Sequence, residues 1–329
     1  MTAPLVSLCI PAYNAAPFIG ATLDSLARQT WQHWEAIVVD DGSTDDTLEV
    51  ARRHAGPRIH VVTQPNAGQS AAENRAIERA QGDFFVFLDA DDFMSDDKLE
   101  AQVRALGDPS APLMATCAWG RFHTDPARAE FRPTALWRDL APTDWLVTAW
   151  ENNLMMHGAT WLIPRPVLER SGGWNPAISL INDHEFFPRV MLQTERIVFT
   201  PGVRTYYRSG FEGNLSGQRS RRAWESAFLA LKLSSQMLLQ RHDTPEARHA
   251  CAVKLQRFIY EIHPACPDLA AEAAALVAAY GGCHVEPEGG RWFHRLRRVM
   301  GWRAARRIEQ LAFRMGYKQS GMKRRWEGR

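Results

Sequence analysis

Cysteine is scarce and unpaired in this chain: Cys9, Cys117, Cys251, Cys266 and Cys283 form no CxxC spacing and are odd in number. A disulfide framework or zinc ribbon is therefore not expected, and a reducing cytoplasm is. No run of about 18 uninterrupted apolar residues marks a transmembrane helix. Residues 1–10 show no basic stretch ahead of a strand-like run, so no secretion signal is read there. The GxxxxGK[ST] phosphate loop is missing, and no GxGxxG turn follows the first strand, which sets ATPase and dinucleotide readings back. Internal repeats and low-complexity tracts are also missing. What is present is 329 residues, 45% hydrophobic and 23% charged, too apolar for a disordered chain. That length allows a sizeable core, as two domains or one large domain with an appendage.

Net charge is close to zero, at +2, but it is unevenly placed. Residues 291–329 hold 13 Lys and Arg against Glu309 and Glu327, a net of +11. The remainder carries 26 basic and 35 acidic residues, a net of −9. An acidic body with a basic tail points to a negatively charged surface as partner.

Through the first hundred residues strand and helix signals alternate. Apolar or β-branched runs at 5–10, 36–39, 59–62 and 84–88 read as strands. Helical spacing is seen at 18–29, 44–54 and 70–80, with Ser43 or Thr44 as N-cap of the second helix. Alternation of this kind predicts a parallel, doubly wound α/β sheet covered on both faces. From 113 to 207 the pattern is mixed, with short strands at 161–163 and 196–200 and a helix at 183–192. Beyond Arg221 helices are expected at 229–239, 250–262 and 270–280, followed by a linker at 284–290.

In open α/β sheets ligands bind at the carboxyl ends of the strands. There the sequence places Pro11-Ala12-Tyr13-Asn14, Asp40-Asp41-Gly42-Ser43 and Asp89-Ala90-Asp91-Asp92. Five carboxylates and a tyrosine thus gather on one edge, and their repulsion is relieved by a cation or a hydrogen-bonding ligand. Turn formation and helix capping account for Ser43, Thr44 and Asp40; they account poorly for Asp89-x-Asp91 directly after an apolar strand. Asp-x-Asp there can hold a hard divalent ion, leaving positions for water and a nucleotide diphosphate.

Four segments in order carry a resemblance: 11–14, 38–47 (Val-Val-Asp-Asp-Gly-Ser-Thr-Asp-Asp-Thr), 66–70 (Asn-Ala-Gly-Gln-Ser) and 82–92 (Gly-Asp-Phe-Phe-Val-Phe-Leu-Asp-Ala-Asp-Asp). They resemble the inverting family 2 glycosyltransferases, strongly over about residues 5–97 and more weakly to 216. The resemblance implies a GT-A catalytic domain (Rossmann-like, mostly parallel central sheet) over 1–218. Its nucleotide-binding half would be 1–107 and its acceptor half 108–218, with a helical region at 219–290 and a basic amphipathic tail at 291–329. It further implies that Pro11 and Tyr13 flank the base, that Asp41 accepts from it, that Asp89 contacts the ribose side and that Asp91 reaches Mg²⁺ or Mn²⁺ and the diphosphate. Asp92 would lie near the donor sugar, and a UDP-sugar is the implied donor. Where the family often has Ala-Arg-Asn, this chain has Ala72-Glu73-Asn74. Either altered donor choice or a surface exchange fits Glu73.

Inverting transfer needs a base opposite the departing nucleotide. Ser171-Gly172-Gly173-Trp174 and Asn182-Asp183-His184-Glu185 resemble the family's Gly-Gly-aromatic and Glu-Asp segment, which implies Asp183 as base with Asn182 in place of the usual Glu. Unaided by that resemblance, Asp183 reads as a helix N-cap or first-turn acid. His157 is read near the diphosphate or as a structural histidine, and His184 as a substrate-side or surface group. Arg208 would serve a phosphate or a salt bridge. Trp119, Trp145, Trp161 and Trp174 could include sugar-stacking platforms, although most are expected in the core. Asn214-Leu215-Ser216 matches a glycosylation sequon by composition alone.

In the tail, Phe293, Leu296, Met300, Ala304, Ile308, Leu311 and Met315 recur at helical spacing among arginines, with Trp292, Trp302 and Trp326 interleaved. Such a helix suits the inner face of an anionic membrane; packing on the acidic body is the rival, and nucleic acid is third. The expectation is a cytoplasmic enzyme, peripheral on the membrane, moving a sugar to a hydroxyl of a glycan or lipid-linked saccharide. A metal-dependent nucleotidyltransferase and a catalytically silent nucleotide-sugar binder are the rival readings.

Overall fold

The computed structural model describes residues 3–210 and 220–314. The sequon, Met315 and Trp326 lie outside the described residues. The first half of the chain runs β1 (Val6–Ala12), α1 (Ile19–Leu26), β2 (Trp34–Asp40), α2 (Thr47–Arg53), β3 (Ile59–Thr63), α3 (Gln69–Arg79), β4 (Phe84–Phe87), β5 (Phe93–Met94), α4 (Lys98–Leu106), β6 (Leu113–Phe122) and β7 (Glu130–Phe131). It continues with α5 (Pro142–Glu151), β8 (Ile163–Pro164), α6 (Arg165–Ser171), α7 (Asp183–Met191), β9 (Arg196–Arg208), α8 (Arg221–Arg241), α9 (Pro245–Ile262), α10 (Pro267–Ala279) and α11 (Arg291–Arg314).

The main sheet has the order β3-β2-β1-β4-β8, parallel except for β8 at the edge. Apolar residues run almost unbroken through β1 and β2 because both faces are covered. One face sets Cys9, Ile37, Val39, Phe85 and Phe87 against Ala72 and Ala76 of α3. The other sets Leu8, Ile10, Val38 and Val86 against Ile19, Leu23 and Leu26 of α1 and Leu99 of α4.

A second sheet, ordered β5-β9-β6-β7, was not foreseen as a unit. Parallel pairing of β6 with β9 runs from Leu113↔Arg196 to Phe122↔Arg208, with an irregularity between Cys117 and Ala118. Since β5 pairs with β9 at Phe93↔Tyr206, the segment just after Asp92 is stitched to the end of β9. Ser43 and Thr44 do not cap α2, whose N-cap is Asp46. Instead Ser43 Oγ accepts from the Asn14 amide and the Thr44 amide donates to Asn14 Oδ1, tying the turn after β2 to the turn after β1.

The helical region is not a detached appendage. Leu238 of α8 and Ala247, Ala250 and Cys251 of α9 belong to the same buried cluster as Trp145 and Trp150 of α5 and Phe186 of α7. Both long helices have side-chain caps, Ser220 and Thr244 accepting from the amides of Ala223 and Ala247. Among the described residues no helix is long and apolar enough to cross a membrane.

Candidate functional site

The strand-end carboxylates divide into two groups. Asp40 and Asp41 are buried, and Asp41 is occupied with its own chain: its oxygens accept from Gln64 Nε2 at 2.7 Å and from the amides of Ala67 and Gly68 at 2.9 and 2.8 Å. Of about four acceptor positions on a carboxylate, three are thus taken by the loop, leaving one for a base. The turn needs glycine at 42, where φ is +72° and a Cβ would meet the Asn66 amide nitrogen. Pro11 is half-buried, while Tyr13 is 52% exposed at the rim, its ring free to flank a base.

Asp89, Asp91 and Asp92 form the second group. Asp92 is fully buried and accepts from the Arg208 amide at 2.6 Å. Its other oxygen lies 2.7 Å from Nε2 of His157, and Asp89 Oδ2 lies 3.9 Å from the same nitrogen. Burial opposes charge on His157, yet the adjoining Asp92 and Asp89 carboxylates outweigh it and lift the imidazole to about 10. Asp91 is pushed up to about 8 by burial and then by the neighbouring Asp92 and Asp89. Arg208 does not reach outward to a phosphate in this arrangement. Its Nε donates to the Asp91 carbonyl at 2.8 Å, and its guanidinium lies over the rings of Phe122, Phe18 and Phe93. It fixes the backbone of the acidic turn.

Among the described residues Asp89, Asp92 and His157 bring three ligand atoms within 4.8 Å of one another. Two carboxylates and an imidazole suit a divalent cation, and Asp91 beside them carries the raised carboxyl that such a charge would relieve. From the sequence the metal is expected at Asp91 alone, and His157 near the diphosphate or as a structural histidine. The structure groups His157 with the acids, because a 3-10 turn at Gly158–Thr160 seats it against β9, where Thr205 Oγ1 is 3.5 Å from its Nδ1.

The other side of the site is built around α7. Asn182 is its N-cap, accepting from the Asp183 amide at 3.0 Å, so Asp183 stands in the first turn and is not the cap. The approach to Asp183 is held by α8, where Ser226 Oγ accepts from the amides of Ser179 and Leu180. His184 is exposed beside it. Trp174 does not serve as a sugar platform: it is 4% exposed and stacked on Phe186 with ring centroids 3.8 Å apart. Its backbone is clamped by Asn74, which accepts from the Trp174 amide and donates to its carbonyl. Trp145 and Trp161 are likewise core residues.

Glu73 is not a surface exchange. It is 2% exposed on α3, and Asn182 Nδ2 donates to its Oε2 at 3.4 Å. The two positions where this chain departs from the usual Arg and Glu therefore touch each other. Gln69, one helical turn before Glu73, donates to Glu73 Oε1 and to Asp89 Oδ1, each at 3.3 Å. A continuous path of side chains thus runs Asp89–Gln69–Glu73–Asn182 and ends on the Asp183 amide. Burial, then the nearby Asp89 and Asp183 charges, hold the Glu73 carboxyl well above its ordinary range. The sequence reading missed Gln69; its signal was the i, i+4 spacing to Glu73 at a helix start facing the strand ends.

A family model described as "Glycosyl transferase family 2" matches residues 7–172. A Bacillus subtilis glycosyltransferase named for teichuronic acid biosynthesis, TuaG, is 43% identical over 116 residues, covering 34% of this chain and 46% of that protein. Chondroitin synthase of Pasteurella multocida is 42% identical over 99 residues, covering 30% of this chain and 10% of that protein. The chain thus spans less than half the length of these curated relatives. Among solved structures, S. aureus TarS 1-349 superposes with a TM-score of 0.66 at 17% identity, covering 96% of this chain and 93% of that one. Its crystals include complexes with UDP and UDP-GlcNAc. The mannosyltransferase PcManGT of Pyrobaculum calidifontis, solved with GDP-Man and Mn2+, superposes at 0.53 with 20% identity, covering 94% and 88%. With a family match over half its residues and an acidic turn at the strand ends of a GT-A fold, the chain belongs to glycosyl transferase family 2.

Proposed function

We propose that this protein transfers a sugar from a nucleotide-sugar, with UDP as the nucleotide, to a hydroxyl of a glycan or lipid-linked saccharide, inverting the anomeric centre. One observation carries the reading: the Asp89–Asp92 turn and Asp183 flank Glu73 from two sides of a single site. In that arrangement Asp183 accepts the proton of the acceptor hydroxyl as its oxygen attacks the anomeric carbon. The bond from that carbon to the diphosphate breaks, and the nucleoside diphosphate departs on the side of the acidic turn. Tyr13, Pro11 and Asp41 border the base, Asp89 faces the ribose and His184 borders the sugars; Asp92, expected near the donor sugar, is instead fully buried between the Arg208 amide and His157 and acts from behind the site. A Mg²⁺ or Mn²⁺ ion held among Asp89, Asp91, Asp92 and His157 would neutralise charge on the departing diphosphate. The UDP and UDP-GlcNAc complexes of TarS, and the GDP-Man and Mn2+ complex of PcManGT, support a nucleotide-sugar donor and a metal.

The test is a nucleotide-sugar panel scored by thermal stabilisation with and without Mn²⁺, followed by transfer assays. Asp183→Asn is expected to keep donor stabilisation while transfer falls by about 10²–10⁴-fold, the range for loss of a general base. Retained turnover in that variant would remove Asp183 from the role. Pyrophosphate among the products would replace sugar transfer with nucleotidyl transfer.

A further inference from the structure

The helix α11 is anchored on one side and open on the other. Its inner side holds Phe293, 1% exposed beneath the Arg306 guanidinium. Trp302 packs on Tyr260 and His263, and Gln310 Nε2 donates to the His263 carbonyl at 2.8 Å. The arginines on this side are paired, Arg297 with Glu286 and Arg306 with Glu309. Packing on the body, the rival expectation for this stripe, thus accounts for one side only.

The outer side is different. Five large hydrophobic side chains are exposed among the described residues, and four of them, Trp292, Val299, Met300 and Leu311, lie on α11. Val299 is 84% exposed. Trp292, Arg295 and Val299 follow at i, i+3 and i+7, and Arg291, Arg295 and Arg298 at i, i+4 and i+7, so apolar and cationic groups share one face. Beyond Gly301, where φ of 78° interrupts the helix, Leu311 is again exposed, whereas the Arg303 guanidinium lies over the Trp302 ring and, with Arg307, stands beside His263. Arg291, Arg295 and Arg298 are all exposed, and none of the three forms a salt bridge among the described residues.

We propose that this outer face docks the protein on an anionic membrane. Free phosphate or a nucleic acid would explain the arginines and leave Trp292, Val299 and Leu311 in water; a lipid interface takes both, the indole and aliphatic groups entering beside headgroup phosphates that pair the guanidinium groups. A contiguous exposed apolar patch rimmed by charge is the surface signature of such a contact. The proposal stands on the surface of α11 and does not depend on the transfer reaction.

The experiment is co-sedimentation of the full chain with vesicles of phosphatidylcholine alone and of phosphatidylcholine with phosphatidylglycerol. Binding is expected only with the anionic vesicles. R291Q/R295Q/R298Q should weaken it by about 100-fold, taking about fivefold per charge. W292S/V299S, which keeps every charge, should abolish the fraction that survives high salt. Both variants should retain the wild-type melting temperature and donor stabilisation, since neither touches the inner side of α11 or the site. Equal binding to neutral and anionic vesicles, or unchanged binding of the triple arginine variant, would overturn the proposal. Competition by inorganic phosphate, tighter binding to RNA than to anionic vesicles, or a dimer lost in W292S/V299S would overturn it too, each assigning the face to another occupant.

Discussion

Replacing Asn182 by Glu would set a second carboxylate where Asn182 Nδ2 now donates to Glu73 at 3.4 Å. At an effective dielectric of about 20 two unit charges at that spacing repel by about 5 kcal/mol. Proton uptake by Glu73, already favoured by its burial, caps the cost, so N182E should lose about 2–5 kcal/mol. The converse single change, E73R, leaves Asn182 facing a donor. Asn182 can turn its oxygen to the guanidinium only by releasing the Asp183 amide it caps, at a cost of about 1 kcal/mol for a lost N-cap. Combining the two sets an arginine opposite a glutamate, the residue types that the family resemblance gives for these positions, with charge and hydrogen-bonding sense matched. Urea unfolding of the four proteins should then give a coupling energy of about 2–3 kcal/mol in favour of the double variant, with an unchanged m value. Losses that add to within about 0.5 kcal/mol would refute the claim that these positions form one unit.

Two further outcomes follow from buried charges. Lys254 of α9 is 8% exposed, with Nζ donating to Ser234 Oγ at 2.8 Å and lying 3.7 Å from the Trp150 ring centre. Burial lowers it from 10.5 to about 7, against a small pull from Cys251 and Asp183. Between those values the unfolded chain binds more protons, so stability should rise with pH from about 7 toward 10.5. That slope should vanish in K254M, and a wild-type stability that falls across the window would contradict this assignment. His157→Ala should cost about 3–5 kcal/mol in metal-free urea unfolding, because Asp92 stays buried without its cation; adding Asp92→Asn should recover much of the loss, and a neutral His157→Ala would show that the pair contributes nothing to the fold.

The first four strands and three helices were readable from local pattern because the cause is local. Strands buried on both faces demand unbroken apolar runs, helices on a sheet demand one apolar stripe, and chain reversal at strand ends demands Asp, Gly and Ser. The acidic turn and Tyr13 stand out for the same reason, as polar groups placed where an apolar strand stops. Even there the sequence could not separate Asp41, engaged by Gln64, Ala67 and Gly68, from Asp89, whose side chain stays 44% exposed. That distinction depends on hydrogen bonds across more than twenty residues.

What the sequence determined alone was therefore the alternating α/β frame, the family and the edge on which its chemistry collects. Only the tertiary structure decided that β9 returns beside β6 and β5, since such pairing is set by which surfaces remain to be covered and leaves no periodicity of its own. It likewise decided that His157 joins Asp92, that Trp174 is core, and that Glu73 and Asn182 meet. Each of these is a contact between segments distant in the chain, where burial and partner choice are properties of the packed whole and no local propensity encodes them.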